Sequence, residues 1–258
     1  MYDLDTRKRA VALVSQGYSQ NSVSKQTGIS RAAIRSWLKR IEPAGYAPGS
    51  ECPRCSGTPR LPDAPDTYAY LLGLYLGDGC ISAGRRGVYS LRIACADAWP
   101  GLIEACSEAM RIVRPANKIS LTPRPGCQYV TGFSKHWPCL FPQHGPGKKH
   151  DRVIALDSWQ QDIVNDHPWD LIRGLVHSDG CRITNWATRD VGGERKRYEY
   201  PRYFFTNVSD DIRQLYTDTL DQLGVEWTHC TRGSNPFNIS VARRASVALM
   251  DAHVGPKY

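Results

Sequence analysis

Leu72-Gly73-Leu74-Tyr75-Leu76-Gly77-Asp78-Gly79-Cys80 is echoed about a hundred residues later by Arg173-Gly174-Leu175-Val176-His177-Ser178-Asp179-Gly180-Cys181. Both are apolar runs with small residues four apart, Gly73 and Gly77 in one and Gly174 and Ser178 in the other, and both close on Asp-Gly. Residues four apart share a helical face. Two such helices can cross closely, because no bulky side chain holds their axes apart; membrane helices use the same contact. The glycine after each Asp is expected to take the left-handed conformation that ends a helix. Two carboxylates would then converge beside the partly negative carbonyl ends of their helices, a place that favours a divalent cation.

The flanks repeat too. After Asp78 come Cys80 to Ser82 and Val88 to Ile93, with Gly84-Arg85-Arg86-Gly87 as a hairpin turn. An amphipathic stretch from Leu102 to Val113 follows. Lys118 to Leu121 and Gln128 to Val130 then read as strands, with Pro123 to Gly126 as their turn. After Asp179 the order recurs: Arg182 to Ala187, a polar loop at Gly192-Gly193, Tyr200 to Asn207, a helix from Ser209 to Leu223, then Val225 to Thr228 and Phe237 to Val241.

With Leu72 to Gly79 and Ile172 to Gly180 as its two motifs, the chain from about residue 66 to 258 resembles the LAGLIDADG homing endonuclease family in its single-chain, two-repeat form. Gly145-Pro146-Gly147-Lys148-Lys149, Leu156 and Trp169 to Gly180 are similar to the family's run into its second motif. Leu220 to Val225 with Ile239-Ser240-Val241 resembles the usual close of the second repeat. The resemblance implies an α/β (α+β) fold in which a pseudo-twofold αββαββα saddle, repeats 66–166 and 167–258, holds DNA on its concave face. It also implies Mg²⁺ held by Asp78 and Asp179, with cleavage of both strands. The motifs' earlier acidic position reads Leu76 and His177 here. Lys135 and Arg243 lie near the strand ends where the family adds basic residues around its metals.

Residues 1–42 carry a separate signal. Ala10, Val11, Leu13 and Val14 fit one helix, Ser19 to Gln26 a second, and Thr27-Gly28-Ile29-Ser30 a turn whose Ser caps a third. In that third helix Ile34, Trp37, Leu38 and Ile41 form the expected buried face, while Arg31, Arg35 and Lys39 make a basic stripe. The segment resembles the helix-turn-helix of transposases, resolvases and bacterial regulators, whose third helix enters the major groove. Further DNA contacts are expected from Arg85 and Arg86 and from Arg195, Lys196 and Arg197, the last three beside Tyr198, Tyr200 and Arg202.

Residues 43–65 form a Pro- and Gly-rich linker containing Cys52-Pro53-Arg54-Cys55. A Cys-x-x-Cys pair is half of a tetrahedral zinc site, which Cys139 and His144 would complete, with His136 and His150 in reserve. An unmetallated pair of thiols is the alternative reading.

The chain has 258 residues, 33 basic against 25 acidic, a net charge of +8 and a pI near 9.1. That balance favours an anionic partner, here double-stranded DNA. Nine cysteines without a signal peptide suit a reducing cytoplasm, with the protein nucleoid-associated. No run is apolar and long enough to span a membrane. With both repeats in one chain, a monomer is expected. Three functions compete: a Mg²⁺-dependent site-specific endonuclease, a non-cleaving transcriptional regulator on the same fold, and an RNA maturase. The maturase ranks last, since a recognition helix does not fit the narrow A-form major groove.

Overall fold

A computed structural model describes residues 4–39, 41, 62–115, 117–230 and 237–258. Helix α4 (Pro65–Asp78) begins with proline at its first turn, where no backbone N–H is needed. It buries every residue from Tyr68 to Leu76. A helix apolar on all sides belongs in the interior, and α4 lies beside α8 (Pro168–Asp179) at the centre of the larger body.

The glycines let the two axes close up. A Cβ on Gly73 would lie 2.6 Å from the Leu171 carbonyl oxygen and 2.7 Å from the Leu175 nitrogen, and one on Gly174 would fall on the Tyr70 carbonyl oxygen. Ser178 turns its hydroxyl back to the Gly174 and Leu175 carbonyls, both at 3.0 Å, which satisfies it inside the contact. His177 is buried and bonds through Nδ1 to the Tyr70 hydroxyl across the interface at 3.0 Å. Burial, helped by Arg173, pushes its pKa down to about 4, so it stays neutral. The position that reads His in place of an acid is a neutral helix-to-helix link.

Each central helix runs directly into a strand. The first repeat continues with β1 (Gly79–Ala83), β2 (Tyr89–Ala96), α5 (Pro100–Val113), β3 (Ile119–Arg124), β4 (Cys127–Ser134), a single turn α6 (Trp137–Leu140) and α7 (Ser158–Asp166). After α8 the second repeat has β5 (Gly180–Val191), β6 (Glu194–Thr206), α9 (Asp210–Gln222), β7 (Thr228–His229), β8 (Asn238–Val241) and α10 (Arg244–His253). The two antiparallel sheets have orders β1-β2-β4-β3 and β5-β6-β8-β7, the same topology twice. Gly79 pairs with Ile93 and Gly180 with Phe205, so each motif glycine opens its sheet at the same place.

Four local expectations change. Gly79 and Gly180 are extended, with φ of −90° and −107°, and are not left-handed. They are glycines because the chain doubles back against its own helix: a Cβ would lie 2.6 Å from the Tyr75 Cα in one and 2.8 Å from the Val176 Cα in the other. Pro123 sits inside β3 and not in the turn, which an edge strand tolerates because one side of its backbone needs no ladder bond. The β5–β6 hairpin is longer than expected. It pairs from Gly180–Phe205 to Val191–Glu194, closed by Gly192 and Gly193 with φ of 63° and 85°, the pattern of a two-residue hairpin turn. Since β8 reaches only Tyr203 to Thr206, the outer part is an exposed two-stranded ribbon. Finally, Leu38 is exposed, because the buried face of its helix is centred on Ala33, Ile34 and Trp37 and leaves Leu38 on the flank.

The N-terminal unit is three short helices, α1 (Leu4–Ser15), α2 (Gln20–Thr27) and α3 (Arg31–Lys39). Ser19 and Ser30 cap the second and third by accepting from Ser22 N at 3.1 Å and Ala33 N at 3.2 Å. Its separate core is Ala10, Val23, Ile29, Ala33, Ile34 and Trp37.

Candidate functional site

Asp78 and Asp179 end α4 and α8 at the same pole of the helix crossing. A Cβ on Gly77 would come 3.1 Å from the Asp179 carboxyl carbon, so Asp179 stands beside the last turn of α4. Burial raises the pKa of both carboxyls, and the charge of Asp78 helps push Asp179 up to about 6. Asn207, just past β6, donates its amide to Asp179 Oδ2 at 2.5 Å. Its Oδ1 accepts from Ser209 N at 2.8 Å, which fixes the direction of the amide. By sheet register the equivalent of Asn207 in the first repeat is Cys95, buried and without an amide to offer.

Two lysines meet the same pole. Lys149 Nζ donates to the carbonyls of Tyr75 at 2.6 Å, Gly77 at 2.5 Å and Gly79 at 2.8 Å. It therefore caps the carbonyl end of α4, where a cation is favoured by the helix dipole. Lys257 Nζ donates to the Ser178 carbonyl at 2.8 Å and caps α8 in the same way. Burial lowers the pKa of Lys149 to about 8, opposed by Asp179 and Asp78, and burial likewise lowers Lys257, opposed first by Asp78. The loop that carries Lys149 is braced by Arg152, which donates to the Gln143 carbonyl at 3.2 Å and the Gly147 carbonyl at 2.9 Å. Tyr75, Lys149, Arg152, Asp179 and Asn207 line an open cavity of about 650 Å³.

Lys149 stands in the Gly145 to Lys149 run of the family resemblance but with no role assigned to it, and Lys257 does not stand out in the sequence. The signal was present as a second echo, Gly145-Pro146-Gly147-Lys148-Lys149 against Gly255-Pro256-Lys257. Each is the segment that returns to the central helices after its repeat's last strand. Lys135 instead lies exposed just beyond β4, and Arg243 pairs with Glu226 at 2.6 Å on the surface before α10.

Arg85 and Arg86 are exposed in the turn between β1 and β2. Arg195, Lys196 and Arg197 are exposed along the β6 side of the ribbon, with Arg197 5.1 Å over the ring of Trp186. Trp186 is 60% exposed. Arg31 and Arg35 face the second repeat, while Lys39 is exposed. Cys52 and Cys55 lie outside the described residues. His144 bonds through Nδ1 to the Phe141 carbonyl at 3.3 Å and sits edge-on to Tyr89, and Cys139 is half-buried in α6. Among the described residues no group of three or more metal-binding side chains is assembled, so the proposed Cys139 and His144 pair has no third ligand there.

Residues 1–48 match the family model of the homeodomain-like domain. The two-repeat body is similar to solved LAGLIDADG structures. A mesophilic variant of the homing endonuclease I-DmoI shares 14% identity over 74% of this chain and 92% of that one, with a TM-score of 0.48. The LAGLIDADG meganuclease I-AabMI bound to uncleaved DNA shares 12% over 72% and 83%, with a TM-score of 0.46. The N-terminal LAGLIDADG domain of DUF199/WhiA shares 10% over 75% and 84%, with a TM-score of 0.44. Comparison with curated protein sequences finds no match. No helix among the described residues is long and apolar enough to cross a membrane.

Proposed function

We propose that this chain binds double-stranded DNA across its two sheets and cuts both strands at the pole where α4 and α8 end. The observation that carries the reading is the pairing of Asp78 and Asp179 with one helix-capping lysine each. The donor set suits Mg²⁺ or a similar hard cation, since carboxylates and backbone carbonyls offer oxygen ligands to a site whose acids repel each other. Asp78 and Asp179 would hold the cation, which supplies Lewis acidity and an activated water beside the scissile phosphates.

The remaining roles belong to the chain's own groups. Asn207 holds the Asp179 carboxylate in one orientation. Lys149 and Lys257 place positive charge where the substrate phosphate must approach two acids and two helix carbonyl ends. Arg85 and Arg86, and Arg195 to Arg197 on the ribbon, would take DNA phosphates and groove edges, because a two-stranded ribbon fits the major groove. Two pseudo-symmetric halves in one chain would make a monomer sufficient.

The test is incubation of the purified protein with a duplex library and Mg²⁺, followed by sequencing of bound and cut molecules. Cuts at a recurring site support the reading; no binding at all refutes it. Binding without cuts supports the second reading, a non-cleaving transcriptional regulator, which the helix-turn-helix unit favours. Lys149→Met and Lys257→Met separate a site role from a structural one. We expect each to lower cleavage by about 10²-fold while divalent-ion affinity rises, because a competing positive charge is gone. Unchanged ion affinity would assign the lysines to helix capping alone.

A further inference from the structure

In the helix-turn-helix unit α3 uses Ala33, Ile34 and Trp37 for its own core. Arg31 and Arg35 therefore lie on the side that would enter a DNA groove, yet they are turned against α9 of the second repeat. Arg31 Nη2 is 3.0 Å from Asp218 Oδ1 and 2.5 Å from Asp221 Oδ2, and Arg35 Nη2 is 3.6 Å from Asp218 Oδ2. The carboxylates are held in place for this. Gln214 donates to Asp218 Oδ1 at 2.6 Å, and the Trp227 indole donates to Asp221 Oδ1 at 2.8 Å. The Asp218 side chain is only 3% exposed, and its Oδ2 has no hydrogen-bond partner, so the guanidinium groups supply its compensation.

The first repeat shows that the acidic pair is not a requirement of the fold. Setting the buried Leu102, Cys106 and Met110 of α5 against Ile212, Tyr216 and Leu220 of α9 puts Glu108 and Arg111 at the positions of Asp218 and Asp221. Glu108 and Arg111 neutralise each other at 3.2 Å. Only the second repeat presents two acids at this place.

We propose that Asp218 and Asp221 are an intramolecular latch that occupies the recognition face of α3, and that DNA phosphates compete with them for Arg31 and Arg35. The contact is suited to release. A cavity of about 260 Å³ remains between the helix-turn-helix unit and the two-repeat body, lined by Trp37, by Leu156 of the first repeat and by Leu215 of the second, so apolar packing beside the ion pairs is incomplete. Such pairs weaken with salt. The 20 residues from 42 to 61 span at most about 70 Å when extended, enough chain for the unit to leave α9 and stay tethered. The proposal rests on the DNA-binding reading only for the identity of the competitor.

Small-angle scattering without DNA tests the latch itself. At low salt the parent is expected to be compact and to expand as salt rises, whereas Asp221→Ser, at an exposed position, and Asp218→Asn/Asp221→Ser are expanded at low salt. Circular dichroism confirms that both variants remain folded. Binding of a 40-base-pair random duplex, followed by fluorescence anisotropy, is expected to tighten roughly 5- to 10-fold in the double variant, because the competent state is no longer a minor fraction. Variants as compact as the parent overturn the latch, and expansion with unchanged affinity overturns the competition. If neither protein binds the duplex, the DNA reading fails and the scattering still decides the latch.

Discussion

Asp179→Asn is expected to abolish divalent-ion-dependent cleavage, by roughly 10³-fold or more, and at the same time to make the protein more stable. The two effects have one cause. Burial and the neighbouring Asp78 hold Asp179 at a pKa of about 6, above the ordinary 3.8 of an aspartate, so its ionised form is disfavoured in the folded state. A carboxyl raised on folding contributes most to stability below the unfolded value and loses that contribution as pH climbs through the folded one. The parent therefore forfeits stability between about pH 4 and pH 6 and stays at the lower level through neutrality. Asparagine carries no charge to disfavour and keeps an oxygen for the Asn207 amide. Allowing for solvent screening at a part-buried group, we expect a gain of about 1–2 kcal/mol at pH 7, equal melting of parent and variant at pH 3.5, and a gap that opens between. Mg²⁺ should close the gap by stabilising only the protein that binds it. Cleavage surviving in Asp179→Asn, or a lower melting temperature at pH 7, would remove the proposed site. Asp78→Asn should match it in activity.

What the sequence makes legible follows from how locally each feature is written. Small residues four apart and a terminal Asp-Gly describe the crossing of α4 and α8 because helix periodicity is a short-range property. The lysines were hidden for the opposite reason: Lys149 reaches the carbonyls of Tyr75 and Gly77 only because a whole repeat folds back over α4. The Gly145 to Lys149 run is legible as part of the family resemblance, but its short echo at Gly255-Pro256-Lys257 gives neither lysine a role without the fold. Asn207 had no trace at all, being one polar residue after a strand. The stripe of Arg31, Arg35 and Lys39 follows from helical spacing alone, whereas the facing of Arg31 and Arg35 to Asp218 and Asp221 depends on residues more than 180 positions away. The strand expected from Tyr200 in fact begins at Glu194, and this outer part is not legible because neither face of the ribbon is buried, which leaves no alternation for a strand to show.

Gly174→Ala should be among the most damaging single-methyl additions available to this chain. Its Cβ would fall on the Tyr70 carbonyl oxygen, 2.9 Å from the Gly73 Cα and 3.0 Å from the Leu74 nitrogen. All three are backbone atoms of the facing helix, so no rotamer change relieves the clash. The axes of α4 and α8 must separate instead, and they carry the largest continuous part of the core, from Tyr68 to Leu76 on one side and Leu171 to Ser178 on the other. Overpacking a tight core costs typically 1–3 kcal/mol where side chains can adjust; here, with only backbone to move, about 3–5 kcal/mol is expected, a large share of a domain's total. Gly126→Ala is the control for glycine loss as such, since it lies in a surface turn with φ +77° and nothing within 4 Å of its Cβ, and should cost only about 1 kcal/mol. Urea denaturation of the three proteins reads the difference. A Gly174→Ala midpoint equal to that of Gly126→Ala would mean that α4 and α8 are not in backbone contact. Any separation also moves Asp78 and Asp179 apart, so a folded Gly174→Ala protein should bind duplex DNA through the ribbon and still fail to cut it.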